Sequence, residues 1–146
     1  MELNILRADP AGNITVFVLD PVEKAQRAAI AEKIMAIPAL KAEQIGYACA
    51  AEDDVDGRME MMGGEFCGNA TRAYGMYIAQ QKGGLSSVRL RVSGCDHVVT
   101  AQVDLKSGTA RAEMPCPRSV KRVTVNGHEG TLVDLTGIAH FVVEGV

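Results

Sequence analysis

The residues best suited to chemistry lie in one short segment, Gly63–Arg72, which reads GGEFCGNATR. The helical pattern that follows predicts that Cys67 stands where a helix begins. The free N–H groups and partial positive charge of a helix N-terminus stabilise a thiolate and can also hold a carboxylate. Gly68 allows a ligand close to the backbone, and Asn69 can cap the helix or donate to an anion. The segment therefore predicts a reactive thiol beside an anion-binding site.

Two helices and many short strands must position this segment. Apolar residues at helical spacing predict an outer helix over about 22–37, with Asp20 as its N-cap and Pro21 in its first turn, and a second helix over about 68–82. The second helix is apolar on nearly all sides, so it should be enclosed. The strands recur about every 8–12 residues, which favours antiparallel pairing over βαβ units. The expected fold is α+β, a rolled antiparallel sheet around a central helix with one helix outside.

Composition excludes several classes of protein. A chain of 146 residues suits a single domain, and 47% hydrophobic with 23% charged residues is typical of a folded one. A net charge of −3, six aromatic residues and no Trp disfavour a nucleic-acid partner. The N-terminus lacks the pattern of a signal peptide, and no apolar run is long enough to span a membrane. We expect a cytoplasmic protein with no membrane partner.

The cysteines give no sign of a structural metal or a disulfide framework. They stand at four separated positions: Cys49, Cys67, Cys95 and Cys116. A reducing compartment argues against disulfides. Neither Cys-x-x-Cys nor His-x-x-x-His spacing occurs, so no metal site is expected. Apart from Cys67, we interpret these residues as small buried hydrophobes.

Three motifs resemble those of the diaminopimelate epimerase family, a group of amino-acid epimerases and racemases that work without pyridoxal phosphate. Glu65–Arg72 resembles the family's Cys-Gly-Asn-Gly-x-Arg motif. Ala11–Asn13 is similar to the family's Gly-Asn-Asp-Phe turn, and Gly137–Val143 to the Gly-Asn-Pro-His strand that closes the first half. Their order and spacing agree along the whole chain.

The resemblance implies a reaction without a cofactor, in which two cysteines face each other across the substrate Cα. One thiolate removes the α-proton, and the other cysteine, as a thiol, delivers a proton to the opposite face. By motif position Cys67 is one of the pair, and the backbone of Gly68 and Asn69 belongs to the carboxylate site. Asn13 corresponds to an asparagine that contacts the substrate. Arg72 is expected to secure the helix rather than to bind the ligand.

The departures from the family pattern bear on domain organisation and on substrate. The family's second cysteine motif, Cys-Gly-Thr/Ser-Gly, does not occur here. We therefore expect residues 1–146 to be one domain, the N-terminal half of a two-domain enzyme, inactive alone and completed by a C-terminal half. A homodimer is a second arrangement, although two identical halves would lack the second motif. The family's distal polar contacts are replaced by Met61–Gly64 and Ile138, and Ala70 replaces a motif glycine, so a racemase for another amino acid competes with diaminopimelate epimerase itself.

Two other functions fit the residues alone. In a cysteine hydrolase, Cys67 would be the nucleophile and His140, His97 or His128 the base. In a binding or structural module of the same fold, Cys67 would be unused. Solvent deuterium exchange into the substrate separates a racemase from a hydrolase, and thiol reactivity separates both from the module.

Overall fold

The computed structural model describes residues 1–145. It contains two α-helices and a short 3₁₀ helix, Pro38–Leu40. The helices are α1 (Lys24–Met35) and α2 (Gly68–Gln81), and the strands are β1 (Ile5–Ala8), β2 (Thr15–Val18), β3 (Gln44–Cys49), β4 (Gly57–Met61), β5 (Ser87–Val92), β6 (Val99–Asp104), β7 (Thr109–Ala112), β8 (Ser119–Val125), β9 (His128–Leu135) and β10 (Ile138–Val142). No helix in the described part of the chain is long and apolar enough to cross a membrane.

The main sheet contains seven strands in chain order, β1 to β7, and it is mixed. Four neighbouring pairs are antiparallel, as expected, but β2 pairs with β3 and β4 pairs with β5 in parallel. The prediction of antiparallel pairing is therefore wrong for two of the six pairs. α1 lies between β2 and β3 along the chain, and α2 lies between β4 and β5. A helical crossover returns the chain to the same end of the sheet, so the next strand runs in the same direction.

α2 is the central helix, and the predicted α+β fold is confirmed. Its observed bounds, Gly68–Gln81, agree with the predicted 68–82. The curled sheet encloses it so fully that every residue from 68 to 79 is buried or half-buried. The buried strand residues that pack with it come from four strands, β2, β4, β5 and β6, and they include the fully buried Phe17, Met59, Leu90 and Ala101. This enclosure fixes where the N-terminus of α2 lies.

α1 packs on the opposite face of the sheet. Alternation along β2 sends Phe17 towards α2 and Val16 and Val18 towards α1, so this strand is buried on both faces. The helix begins later than predicted, with Glu23 rather than Asp20 as its N-cap. The Asp20 carboxylate instead accepts hydrogen bonds from the backbone and side chain of Asn4. Asp20 is therefore engaged next to β1 and does not cap the helix.

A separate three-stranded antiparallel sheet, β8–β9–β10, follows the main sheet in the chain. Much of it is exposed, including Val120, Val125 and Val142. The β9–β10 hairpin nevertheless approaches the segment before α2, since Gly137 lies against the backbone of Glu65. The small sheet thereby contributes one wall beside the N-terminus of α2.

Candidate functional site

Cys67 is the N-cap residue of α2, as the sequence predicts. Its backbone is extended, and its Sγ accepts a hydrogen bond from the Ala70 N–H at 3.4 Å. The Thr71 hydroxyl donates to the Cys67 carbonyl at 2.7 Å and holds the turn closed. The N–H groups of Gly68 and Asn69 belong to the first turn and have no acceptor within the helix. One half-buried thiol and two free donors therefore share the start of α2.

Gln44, at the start of β3, binds the sulfur of Cys67. Its Nε2 lies 3.2 Å from Cys67 Sγ, 2.9 Å from Asn13 Oδ1 and 2.8 Å from Thr15 Oγ1. The parallel pairing of β2 with β3 places Gln44 directly opposite Thr15. Because Gln44 Oε1 also lies 3.6 Å from the sulfur, the same amide offers Cys67 Sγ both a donor and an acceptor and holds the sulfur in place.

Asn13 and Asn69 are brought together although 56 positions separate them in the chain. Asn69 Nδ2 donates to Asn13 Oδ1 at 3.2 Å, while Asn13 Nδ2 donates to Glu43 Oε2 at 3.0 Å. Arg72 donates to Asn69 Oδ1 at 2.8 Å, one turn along the helix. This bond agrees with the expectation that Arg72 secures the helix. The amides form a continuous network that joins the β1–β2 turn to the start of α2.

All four predicted site residues line one cavity of about 650 Å³. Beside Cys67, Gly68, Asn69 and Asn13, its walls carry Gln44, Glu65, Phe66, Arg72, Ala110, Arg111, Ala112, Met114, Leu135, Ile138 and His140. Two guanidinium groups and the N-terminus of α2 give this cavity a positive bias, which suits a substrate carboxylate. Apolar side chains from β7 and the β9–β10 hairpin supply much of the remaining wall.

The three histidines that a hydrolase could use lie in different places. His140 lines the Cys67 cavity from β10, whereas His97 is in the β5–β6 turn and His128 begins β9. Within residues 1–145, Cys67 Sγ forms hydrogen bonds with the side-chain amide of Gln44 and with the backbone N–H of Ala70. The thiol is thus paired with an amide rather than with an imidazole base.

Sequence reasoning missed Gln44, Glu65, Arg111 and Met114 as cavity residues. A single Gln at the start of a strand carries no motif, and its proximity to Cys67 depends on a parallel strand pair that was not predicted. Tyr74, one turn beyond Thr71, belongs to the apolar surface of α2. It is buried with its ring 5.4 Å from that of Phe17, and burial raises its pKa to about 12. It is therefore uncharged beneath the site.

In this fold a helix N-terminus presents a thiol and backbone N–H donors to one cavity. Comparison with known proteins agrees with the racemase class that the motifs indicated. The sequence profile described as the histidine racemase CntK N-terminal domain matches residues 2–145. The chain belongs to this family.

Curated relatives give the same class. The chain is 32% identical over 151 residues to a histidine racemase of Fusobacterium nucleatum subsp. nucleatum, covering 96% of this chain and 54% of the relative. A second strain's histidine racemase is 30% identical, with the same coverage. A histidine racemase of Staphylococcus aureus (strain Mu50) is 30% identical over 122 residues, 81% of this chain and 44% of the relative. The chain thus spans about half the length of these relatives, and the comparisons support an isomerase of the racemase type.

Proposed function

We propose that this chain is the N-terminal half of a histidine racemase that inverts the substrate Cα without a cofactor, using Cys67 as one of two acid/base groups. The observation that carries the proposal is the position of Cys67 Sγ, at the N-cap of α2 and 3.2 Å from Gln44 Nε2, in the wall of a substrate-sized cavity. The matching family and the names of the relatives support histidine as the substrate.

Proton abstraction begins with the Cys67 thiolate. The Cα–H bond breaks, a sulfur–hydrogen bond forms, and the electron pair remains on the substrate, shared between Cα and its carboxylate. The cysteine of the other half, as a thiol, then gives a proton to the opposite face and becomes the thiolate. No atoms are gained or lost, and because the two enantiomers have equal free energies, the equilibrium favours neither direction.

The carboxylate is the part of the substrate that this half binds. When the α-proton leaves, negative charge grows on the carboxylate oxygens, so donors aimed at them stabilise the transition state more than the ground state. The N–H groups of Gly68 and Asn69 provide such donors at the helix N-terminus. The amide network of Asn13, Gln44 and Asn69 keeps thiol and donors in a fixed relation, so little reorganisation is needed during reaction.

We propose histidine rather than diaminopimelate as the substrate for two reasons: the names of the relatives, and an apolar residue in the cavity wall. A distal ammonium and carboxylate need polar partners, whereas Ile138 lines the cavity at the position where the diaminopimelate epimerases have a substrate-binding asparagine. A branched apolar side chain cannot replace those hydrogen bonds, and an unpaired polar group costs about 1–3 kcal/mol.

The partner in this proposal is a C-terminal half of the same protein, which supplies the second cysteine and closes the cavity over the substrate. Relatives about twice as long as this chain support it. A homodimer of this chain remains the competing arrangement, and it would have to place a second Cys67 across the substrate. We therefore expect no racemase activity from residues 1–146 alone.

Solvent exchange tests the proposal. The complete protein should incorporate deuterium at Cα of both L- and D-histidine in D₂O, followed by NMR, and should convert each enantiomer into the other. Cys67→Ser should lower the rate by at least about 10³-fold, because an alcohol is too weak an acid for this exchange. Cys49→Ser, a cysteine on β3 outside the cavity, is the matched control and should leave the rate unchanged.

The competing functions give different results in the same samples. Hydrolysis of esters or amides without α-proton exchange would establish the cysteine hydrolase and contradict the racemase. Faster turnover of diaminopimelate than of histidine would keep the mechanism but overturn the substrate. If iodoacetamide modifies Cys67 no faster than a free thiol at neutral pH, the hypothesis that Cys67 is an activated thiolate is wrong. A non-catalytic binding or structural module is then favoured.

A further inference from the structure

A second group of metal-ligating side chains lies in the turn between β5 and β6, outside the Cys67 cavity. Cys95, Asp96 and His97 each place a ligand atom within 4.8 Å of the other two. Cys95 Sγ is 3.5 Å from His97 Nδ1, and His97 Nδ1 is 2.9 Å from Asp96 Oδ1. Within residues 1–145 this is the one group of three such side chains at this spacing. A thiol, an imidazole and a carboxylate thus lie within 4.8 Å of one another at the surface.

The separations fit the coordination shell of zinc. Bonds of about 2.3 Å to sulfur and about 2.0–2.1 Å to nitrogen, at a tetrahedral angle, put the two ligand atoms roughly 3.5 Å apart. Cys95 Sγ lies 3.5 Å from His97 Nδ1 and 3.6 Å from His97 Nε2, so the sulfur and the ring are at the required separation, and rotation of the half-exposed ring directs one nitrogen lone pair at a shared ion. A thiolate with an imidazole selects a soft or borderline ion such as Zn²⁺ over Mg²⁺ or Ca²⁺, which prefer oxygen ligands.

The backbone of the turn is held in place from beneath. The Ser93 hydroxyl accepts from the Met61 N–H at 2.8 Å and donates to the Glu65 carbonyl at 2.7 Å. Gly94 has φ +71°, and a Cβ there would lie 2.1 Å from the Phe66 nitrogen, so only glycine fits this close approach. The three ligand residues therefore project from a fixed support, which lowers the entropy lost on binding an ion.

The surroundings leave room for the ion and its fourth ligand. The turn opens into a concavity of about 520 Å³, whose far side is formed by Cys116, Arg118 and Thr136. Arg118 is paired with Asp134 at 3.0 Å, so its positive charge is balanced. The side chains of Asp96 and His97 are 100% and 56% exposed, so both can rotate to complete the shell. Cys116 lies outside the group of three, and water can take the fourth position.

We propose that the β5–β6 turn is a binding site for one zinc ion, or a soft divalent cation like it, with Cys95, Asp96 and His97 as its protein ligands. A search for Cys-x-x-Cys or His-x-x-x-His spacing does not find this site, because its three ligands occupy consecutive positions in a turn. This proposal differs from the expectation, drawn from residue spacing, that the chain holds no metal. The site is independent of the proposed racemase chemistry, since its lining shares no residue with the Cys67 cavity.

Cobalt is the probe, because a cysteine thiolate bound to Co²⁺ gives a charge-transfer band and tetrahedral Co²⁺ gives intense visible bands. The reduced chain titrated with CoCl₂ should show both, saturating at one ion per chain, and ZnCl₂ should abolish them. Cys95→Ser should eliminate the charge-transfer band, and His97→Asn should weaken binding about tenfold or more. Cys49→Ser and Cys67→Ser are matched controls that should retain the spectrum.

Two outcomes would overturn the site. Either the parent chain shows no thiolate-to-cobalt band at millimolar CoCl₂, or the band survives in Cys95→Ser. Far-UV circular dichroism of each variant shows that a lost band reflects a lost ligand and not unfolding. Failure here leaves the racemase proposal untouched, because its test follows Cys67 and α-proton exchange.

Discussion

Gly75 marks the place where α2 comes closest to the sheet, and Gly75→Ala tests the packing that positions Cys67. A Cβ at Gly75 would lie 2.7 Å from the Ala101 Cβ and 3.5 Å from Leu90 Cδ1. Favourable carbon–carbon contact needs about 3.5–4.0 Å, so helix and strand must separate by roughly 1 Å. Leu90 and Ala101 are fully buried, which leaves no open space for the new methyl group.

The expected cost follows from two opposing effects. Overpacking of a buried site costs about 1–3 kcal/mol, whereas replacing a helical glycine by alanine gains about 1 kcal/mol. Gly75→Ala should therefore lower the free energy of unfolding by about 1 kcal/mol. Ala101→Gly should lower it by about 1.5 kcal/mol, through a lost buried methyl and a more flexible strand. In the double variant the methyl at 75 occupies the space vacated at 101.

A double-mutant cycle isolates this contact. Urea unfolding of the four proteins, followed by far-UV circular dichroism because the chain has no Trp, gives each free energy of unfolding. The double variant should be more stable than the sum of the single effects by about 1–2 kcal/mol. Two results would refute the close packing of α2 on β6. In the first, the effects of the two substitutions on the free energy of unfolding are strictly additive. In the second, Gly75→Ala is more stable than the parent chain by the full gain in helix propensity.

Three further predictions concern charge and hydrogen bonding. Gln44→Leu should slow α-proton exchange by the complete protein about tenfold, because Cys67 Sγ and Asn13 Oδ1 lose the N–H donor that holds them in place; an unchanged rate would contradict the role of Gln44. For Glu60, burial alone would raise the pKa, but hydrogen bonds from Arg27 and Arg58 outweigh it and hold the pKa below 4.5. Its stabilisation is therefore present above that value and lost as the pH falls through the lowered pKa, so Glu60→Gln should cost about 2 kcal/mol at pH 7 and progressively less in acid, measured by urea unfolding. Burial raises the pKa of Tyr74 to about 12, so the unfolded chain ionises first and the folded state loses stability as the pH rises from 10 towards 12. Tyr74→Phe should reduce that loss in urea unfolding at alkaline pH. The same dependence of stability on pH in both proteins would contradict the prediction.

The central helix and its thiol could be predicted from sequence because their signals are local. Apolar residues at helical spacing and glycines beyond the end placed the 68–82 helix within one residue of its observed bounds. The N-cap position of Cys67 followed from where that pattern begins. The start of the outer helix was predicted less accurately, because an Asp-Pro pair is also compatible with a turn. Here the Asp20 carboxylate accepts hydrogen bonds from Asn4 instead of capping the helix.

Strand direction could not be predicted from the alternation of residues. Parallel and antiparallel strands share the same period, and the choice depends on whether the connection crosses the sheet. α1 and α2 are such crossovers, so two of the pairs are parallel. This choice brings Gln44 beside Thr15 and hence to the sulfur of Cys67.

From the sequence alone it was possible to find the cysteine that begins a helix, the helix that must be enclosed, and the family whose motifs the chain resembles. Only the tertiary structure decided which side chains meet that thiol, and that the turn at 95–97 gathers three ligand atoms. The physical reason is range: helix periodicity and capping act over a few residues, whereas Asn13, Gln44 and Cys67 meet only after the sheet has curled around α2.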